Sequence, residues 1–184
     1  MVSRAQDTRS SGETVRLRDG REVLVRPIQR GDERALCRFY DKLSRQSRAW
    51  FRPEAFTLSS ARAVVLQAEC DEGAWLVAET RAALLRRRRI VGYAWFCRLH
   101  GDPIPFVGLA VADDYQGQGL GRTMLARLIG QARRAGEKQL QLNVYKDNAR
   151  AIRLYEKVGF VMNGETDDHK QFRMLLRLDG TQGA

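Results

Sequence analysis

The sequence predicts a mixed α/β fold, and three observations carry that prediction. Segments with helical and with strand periodicity alternate through the second half of the chain. In the first half, Asp19-Gly20 stands between two short apolar alternations, a hairpin-type turn signal. The 184 residues show no internal repeat and no dividing linker, so one domain over 13–178 is expected, with short disordered tails at 1–12 and 179–184.

The elements follow in order. Val15 to Arg18 and Val23 to Pro27 read as the two strands of the hairpin. The chain turns at Gly31-Asp32, where Asp32 can N-cap a helix carrying Leu36, Phe39, Tyr40 and Leu43 on one face. Ser44 to Phe51 reads as a second short helix, and Ser59 or Ser60 as the cap of a third bearing Val64, Val65 and Ala68. Ala74 to Glu79 and Ile90 to Arg98 are rich in strand formers, with Arg81 to Arg89 as the hairpin tip between them. Pro103 and Pro105 punctuate the start of the next strand, Phe106 to Val111. After a glycine-rich loop, a helix runs from about Gly121 to Ala135, its buried stripe being Met124, Leu125, Leu128, Ile129 and Ala132, and Gly136 suits its end. Gln139 to Val144 is a strand. Asn148 to Val158 is a helix with Ala151, Leu154, Tyr155 and Val158 inward, closed by Gly159. Phe160 to Glu165 and Gln171 to Leu178 are the last strands, around a polar turn.

Bulk composition excludes several classes. An apolar share of 43% and a charged share of 29% match an ordinary globular domain. No run of roughly 18 apolar residues exists, so no membrane span and no membrane partner are expected. Met1 to Gly12 lacks the apolar core of a secretory signal. Arg4, Arg9, Ser10 and Ser11 give it some transit-peptide composition, but a frayed tail is the reading adopted, and the cytoplasm is the expected compartment. Cys37, Cys70 and Cys97 are odd in number and lack ligand spacing, which implies neither a disulfide framework nor a metal site. A net charge of +10, mostly from arginine, favours an anionic partner, whether nucleic acid, anionic lipid or a phosphorylated cofactor.

Gln116-Gly117-Gln118-Gly119-Leu120-Gly121 lies between a strand and an amphipathic helix. Glycines let the backbone curl against a ligand, and the free amides and dipole at a helix start attract an anion. The segment therefore reads as a phosphate or pyrophosphate cradle. A P-loop would need Lys and Ser/Thr after its second glycine, and both are missing. A dinucleotide-binding turn would need Gly-x-Gly-x-x-Gly and an acid about 20 residues on, but the spacing here is Gly-x-Gly-x-Gly and the strand ending at Val144 offers no carboxylate. What remains is Gln/Arg-x-x-Gly-x-Gly/Ala after a strand ending in valine.

Val111, Gln116, Gly119 and Gly121 resemble the acetyl-CoA motif of the GCN5-related N-acetyltransferase (GNAT) superfamily. Asn148-x-x-Ala151-x-x-Leu154-Tyr155-x-Lys157-x-Gly159-Phe160 resembles its second signature, at the expected separation. The resemblance extends over Val15 to Leu178. From Arg18-Asp19-Gly20 through Leu43-Ser44-x-x-Ser47 and Phe51, the front half is similar to the acetyltransferase domains of some bacterial protein lysine acetyltransferases.

The resemblance implies a GNAT-like acyl-CoA N-acyltransferase fold, with a mixed sheet splayed at its centre by a bulge in the strand carrying Leu109 to Val111 and helices on both faces. It implies acetyl-CoA as cosubstrate, without a metal, held by Leu109, Ala110, Val111, Gln116, Gly117, Gln118, Gly119, Leu120, Gly121, Arg122 and Asn148. The reaction it implies is direct attack of an amine on the thioester, the carbonyl polarised by a backbone amide at the end of the Phe106–Val111 strand. Tyr155 occupies the position of the general acid toward the sulfur; a core tyrosine is the alternative. Asn148 would bond the cofactor arm, and a plain helix cap is the alternative or an addition.

The general base departs from the pattern. Many relatives carry Glu where this chain has Phe106, and a phenyl ring takes no proton. Asp102, Glu54, Asp168 and His169 are candidates at the end of a water chain, or the amine arrives neutral; His100 and His169 also read as surface residues. Arg86 to Arg89 has no interleaved aromatic residue, which favours a solvated tip over a nucleic-acid site, so no nucleic-acid partner is expected. Glu165, Asp167 and Asp168 fall in the turn that borders the acceptor pocket in relatives, or form a merely polar turn. The acceptor stays open among a protein lysine, an N-terminus, a polyamine, an aminoglycoside and an amino acid, and a homodimer is compatible with the sequence. Two rival readings are a non-catalytic acetyl-CoA sensor or scaffold, favoured by Phe106, and a nucleic-acid-binding protein, favoured by the charge.

Overall fold

A computed structural model describes residues 12–51, 56–69, 73–81, 88–99 and 101–179. Most of the two expected tails lies outside these residues, as do Glu54, Cys70, His100 and the tip 82–87.

Strands β1 (Glu13–Arg16) and β2 (Glu22–Pro27) pair antiparallel as the expected hairpin, with Val15 opposite Val23. β1 stops two residues early because Leu17 turns into the core and its amide bonds Arg21 O at 2.8 Å, while Gly20 takes φ 86°. Helix α1 (Glu33–Asp41) buries Leu36 and Phe39. Asp32 stands at its N-cap but does not cap it. Both Asp32 oxygens receive the Arg26 guanidinium, at 2.7 and 2.8 Å, and Arg26 also reaches Glu79 at 2.7 Å. All three side chains are buried, and a buried guanidinium claims carboxylates more strongly than a helix end does.

Helix α2 (Arg45–Phe51) buries none of its residues, and α3 (Leu58–Gln67) is capped by Thr57, whose hydroxyl accepts from the Ser60 amide at 3.2 Å. The cap lies two or three residues before the serines read from sequence, because Leu58 already belongs to the helix. Strands β3 (Gly73–Arg81), β4 (Arg88–Cys97) and β5 (Phe106–Val111) form an antiparallel meander. Arg88 and Arg89 are strand residues and not part of a solvated tip: Arg89 grips Asp114 with bonds of 2.9 and 3.0 Å, and Arg88 lies 3.8 Å from Glu79.

A short 3-10 turn (Asp113–Tyr115) leads to α4 (Leu120–Arg134), which buries the expected stripe and ends at Gly136 with φ 79°. Then come β6 (Gln139–Tyr145), α5 (Ala149–Lys157), β7 (Val161–Glu165) and β8 (Gln171–Arg177). Tyr155 is buried, with Ala151, Leu154 and Val158 half-buried against the core. No helix among the described residues is long and apolar enough to cross a membrane.

The eight strands lie in the order β1-β2-β3-β4-β5-β6-β8-β7. Every neighbouring pair is antiparallel except β5–β6, which is parallel and registered only at Phe106 opposite Gln141. That end is pinned by Gln141 N to Pro105 O at 2.9 Å and Gln141 Nε2 to Ile104 O at 2.8 Å. Beyond it the strands part, forming a V that opens toward Val111 and Tyr145. The expected bulge is absent from β5, which keeps regular register with β4 from Phe106 to Val111; the splay arises wholly on the β6 side.

The two sheet faces are distinguished by neighbours on β4. A Cβ on Gly92 would meet the α4 residue Met124, whereas the ring of Tyr93 meets Phe51 and Phe56 on the opposite face. Helix α4 therefore covers one side of the V, and the α1–α3 segment covers the other. Cys97 is buried, which pushes its thiol up to about 11, consistent with an inert packing residue.

Candidate active site

The open end of the V gathers the site. Ala112 N bonds Val91 O at 2.9 Å, so the amide of Ala112 points toward β4. Alternation along an antiparallel strand then turns the amides and carbonyls of Leu109 and Val111 the other way, into the gap that β6 leaves. One of these groups is already occupied, since Gln116 Nε2 donates to Val111 O at 3.0 Å.

The chain next curls through Gly117 at φ 78° and Gly119 at φ 92°, values that disfavour any side chain. Gly119 is the N-cap of α4 and supplies no side-chain cap. The first intrahelical bond runs from Thr123 N to Gly119 O at 3.1 Å, which leaves the amides of Leu120, Gly121 and Arg122 for a ligand. At Gly121 a Cβ would stand 3.4 Å from Leu154 and 3.5 Å from Leu109, ordinary contact distances, so here α4 lies against both β5 and α5.

The surroundings are cationic. Arg18 N bonds Gln118 O at 3.2 Å, and Arg18 Nε lies 4.0 Å from where a Cβ on Gly119 would be. Arg122 opens a groove of about 860 Å³ between the β1–β2 ribbon and α4, lined also by Arg16, Arg127 and Arg134. Arg127 is already paired with Glu13 at 2.6 Å and Arg134 stands at the far end of α4, so an anionic ligand seated on the turn would chiefly meet Arg18 and Arg122.

The Gln116 side chain is bonded to the protein itself at both ends. Besides Val111 O, its Nε2 reaches Ser47 Oγ at 3.3 Å, and its Oε1 accepts from Arg150 Nη1. These bonds tie the start of the glycine turn to the end of β5, to α2 and to α5. Asn148 Oδ1 accepts from Ala151 N at 3.1 Å, so the helix-cap reading of this residue is realised. Tyr155 is enclosed, with its ring edge-on to Phe160 at 5.7 Å, and burial pushes its phenol up to about 12.

The base candidates are dispersed. Phe106 sits half-buried at the closed apex of the V, paired with Cys97 and Gln141. Asp102 Oδ1 caps its own loop through Ile104 N at 3.0 Å. Asp168 accepts from Thr166 Oγ1 at 2.6 Å in the β7–β8 turn, and His169, at φ 55°, lies 3.1 Å from Glu165 in the same turn. Glu165 also pairs with Lys146 at 2.8 Å, and these bonds, Lys146 first, hold its carboxyl below the ordinary range. Among the described residues Asp102 and His169 bond within their own loops, and no group of three or more His, Cys, Asp or Glu is placed to hold a metal.

Sequence reasoning missed the polar fastening around this site. Arg21 stacks on the Tyr115 ring at 3.8 Å and donates to Asp114 O at 2.7 Å. Asp113 accepts from Ser44 N, Ser44 Oγ and Ser47 Oγ at 2.8, 2.8 and 2.6 Å, and Trp50 Nε1 donates to Asp147 Oδ1 at 2.9 Å. The Ser44-x-x-Ser47 spacing was the one visible signal for this cluster.

The family described as Acetyltransferase (GNAT) family matches residues 36–160. A 59-residue stretch is 46% identical to a [ribosomal protein bS18]-alanine N-acetyltransferase of Escherichia coli, covering 32% of this chain and 40% of that protein. A 69-residue stretch is 41% identical to a spermine/spermidine N(1)-acetyltransferase of Bacillus subtilis, covering 37% and 45%. The chain thus spans less than half the length of either relative. The solved GNAT domain of S. lividans PAT is similar in fold, with a TM-score of 0.76 at 22% identity over 90% of this chain and 96% of that one. So is yncA of Salmonella typhimurium, solved with its cofactor acetyl-CoA, with a TM-score of 0.72 at 22% identity over 88% and 97%.

Proposed function

The chain belongs to the acetyltransferase (GNAT) family, and from that premise we propose that it transfers the acetyl group of acetyl-CoA to a primary amine by direct attack. The observation that carries this reading is the coincidence, at one end of the V, of the inward amides of Leu109 and Val111 with the uncapped glycine turn of α4. A pyrophosphate on the amides of Leu120 to Arg122 leaves its pantetheine arm free to run along β5, as a strand's partner would. The thioester carbonyl then meets a fixed N–H of Leu109 or Val111, which stabilises the charge that develops on its oxygen.

The amine nitrogen attacks the carbonyl carbon, the C–N bond forms, and the C–S bond breaks. The phenol of Tyr155 delivers a proton to the departing sulfur, and the phenolate so formed recovers one, through water, from the acylated nitrogen, which leaves the neutral amide. The raised pKa of the phenol keeps its proton in place across the neutral range, which suits an acid and not a base. With Phe106 at the apex, the amine is taken up in its neutral form. Amines of pKa about 10 are mostly protonated at pH 7, so turnover should climb with pH. The alanine N-terminus, spermine and spermidine named for the relatives place N-termini and polyamines among the acceptors to test, beside protein lysines.

The experiment is a panel of amines with free CoA thiol as readout. Thiol release that depends on one class of amine supports the reading. Tight acetyl-CoA binding with no release across the panel would replace it with the sensor reading that Phe106 favours.

A further inference from the structure

We propose that Asp113 is a positioning residue that fastens α2 across the mouth of the V and couples it to the acetyl-donor turn, so that donor binding steadies the wall the acceptor meets. The inference rests on the reading of the glycine turn as the acetyl-CoA cradle.

Helix α2 buries no residue completely, and Phe51 at its end is its one hydrophobic residue packed against the core. Its other attachments are polar and lie at both sides of the V. On the β5 side, Asp113 takes the Ser44 amide, the Ser44 hydroxyl and the Ser47 hydroxyl at 2.8, 2.8 and 2.6 Å. On the β6 side, Asp147 takes the Trp50 indole N–H at 2.9 Å. One carboxylate therefore stands just beyond the open end of each diverging strand, and α2 bridges them. Phe51 adds one edge contact to Tyr93, with ring centroids 6.1 Å apart.

The link to the donor is direct. Asp113 opens the 3-10 turn that runs into Gln116, and Gln116 Nε2 reaches Ser47 Oγ at 3.3 Å while holding Val111 O at 3.0 Å. Burial alone would raise the Asp113 carboxyl, but the bonds from Ser47 and Ser44 outweigh it and keep it below the ordinary range, so it stays a charged acceptor. An element held by a few side-chain bonds opens locally far more easily than the core. A ligand that orders the turn carrying Asp113 and Gln116 also orders the helix hung on them, which is a coupling free energy between two sites.

The test follows amide hydrogen exchange of residues 45–51 in the full chain, with and without acetyl-CoA, beside calorimetry of acetyl-CoA binding. In the parent, acetyl-CoA should slow exchange in α2 on the order of tenfold, the scale of one charge-assisted bond. Asp113→Ala, and separately Ser47→Ala, should abolish that slowing, raise the acceptor KM on the order of tenfold and leave kcat and acetyl-CoA affinity within a few-fold. Ser47→Thr, which keeps the hydroxyl, should restore the response. If Asp113→Ala does not fold, Ser47→Ala and Ser47→Thr decide the matter alone. Acetyl-CoA binding with no change in α2 exchange, or a response that survives both alanine variants, overturns the coupling and leaves the proposed function standing. Failure of the parent to bind acetyl-CoA overturns both.

Discussion

Gln116 donates from Nε2 to the carbonyl of Val111 at 3.0 Å, bridging the last residue of β5 and the start of the glycine turn. The bond occupies one of the two β5 carbonyls turned into the gap, the other being that of Leu109, while leaving the Val111 amide turned inward. Arg150 fixes the other end of the same side chain. Gln116→Ala should therefore loosen the turn and expose an acceptor where donors are wanted. Each lost bond is worth roughly 0.5–1.5 kcal/mol, so acetyl-CoA affinity should fall about tenfold with little change in melting temperature. Calorimetry and a thermal melt check this; an unchanged Kd would show that the turn keeps its shape without Gln116.

Gly119 supplies the second prediction. At φ 92°, any L side chain there is strained, by about 1–2 kcal/mol. Gly119→Asp adds a carboxylate beside the amides that would receive a pyrophosphate, so acetyl-CoA binding should be abolished. Gly119→Ala, which carries the strain without the charge, should bind more weakly than the parent and more tightly than Gly119→Asp. Equal affinity in all three would remove the turn from the binding site.

How far the sequence foretold these features depends on the range over which each is encoded. β5 was legible to the residue, because Pro103 and Pro105 precede it and the glycine turn follows it. The stripe of α4 was legible from its spacing alone. Asp32 was misread as a cap because Arg26, the guanidinium that claims it from six positions away, is drawn into a buried cluster with Glu79, 53 positions from Arg26. The fastening of α2 left only the Ser44-x-x-Ser47 spacing as a mark, because its partners are remote: Ser47 and Gln116 stand 69 positions apart, and no periodicity announces a polar contact. The splay was anticipated, but its placement in a bulge of β5 was not correct. Parallel strands share no turn that fixes their register, so the parting of β6 from β5 left no local mark.

The Arg26, Asp32 and Glu79 cluster gives a prediction about stability. Removing the guanidinium leaves two buried carboxylates without their shared cation. Breaking such a cluster from one side destabilises by about 3–5 kcal/mol, a large part of what holds a domain of this size together. Arg26→Ala should lower the urea midpoint sharply, whereas Arg88→Ala, which removes only an exposed partner 3.8 Å from Glu79, should barely move it. Comparable losses in the two variants would contradict this account.

The pH dependence follows from Phe106 and Tyr155. With no carboxylate at the apex to take the amine's proton, kcat/KM should rise with pH toward the acceptor's own pKa, about 10 for an alkyl amine. The Tyr155 phenol, pushed up to about 12 by burial, stays protonated through that rise, so the acid limb should not appear below it. Folding obeys the same shift. A folded pKa above the unfolded value contributes stability that is complete below about 10 and lost as the pH climbs toward 12. A bell-shaped profile with both limbs between pH 6 and 9, on the order of a protein base and acid, would point instead to a titrating base among the side chains.

Tyr155→Phe isolates the hydroxyl. The ring is buried and packs edge-on against Phe160 at 5.7 Å, and phenylalanine preserves that volume and contact. No group among the described residues is bonded to the hydroxyl, so its removal strands no partner, and folding should hold within a fraction of a kcal/mol. Acetyl-CoA affinity should also hold, since the anionic end of the cofactor is assigned to the turn at Gly117–Arg122 and not to α5. What is lost is the proton for the leaving thiolate. A positioned acid contributes on the order of 10²-fold, so kcat should fall by about that factor, with acceptor KM and acetyl-CoA Kd nearly unchanged. The discriminating measurement uses acyl donors whose thiols differ in acidity. The variant should recover most of its rate with a donor whose thiol leaves unprotonated, while the parent gains little. If the variant turns over acetyl-CoA as fast as the parent, the sulfur departs without help, and the hydroxyl of Tyr155 is left with no part in the chemistry.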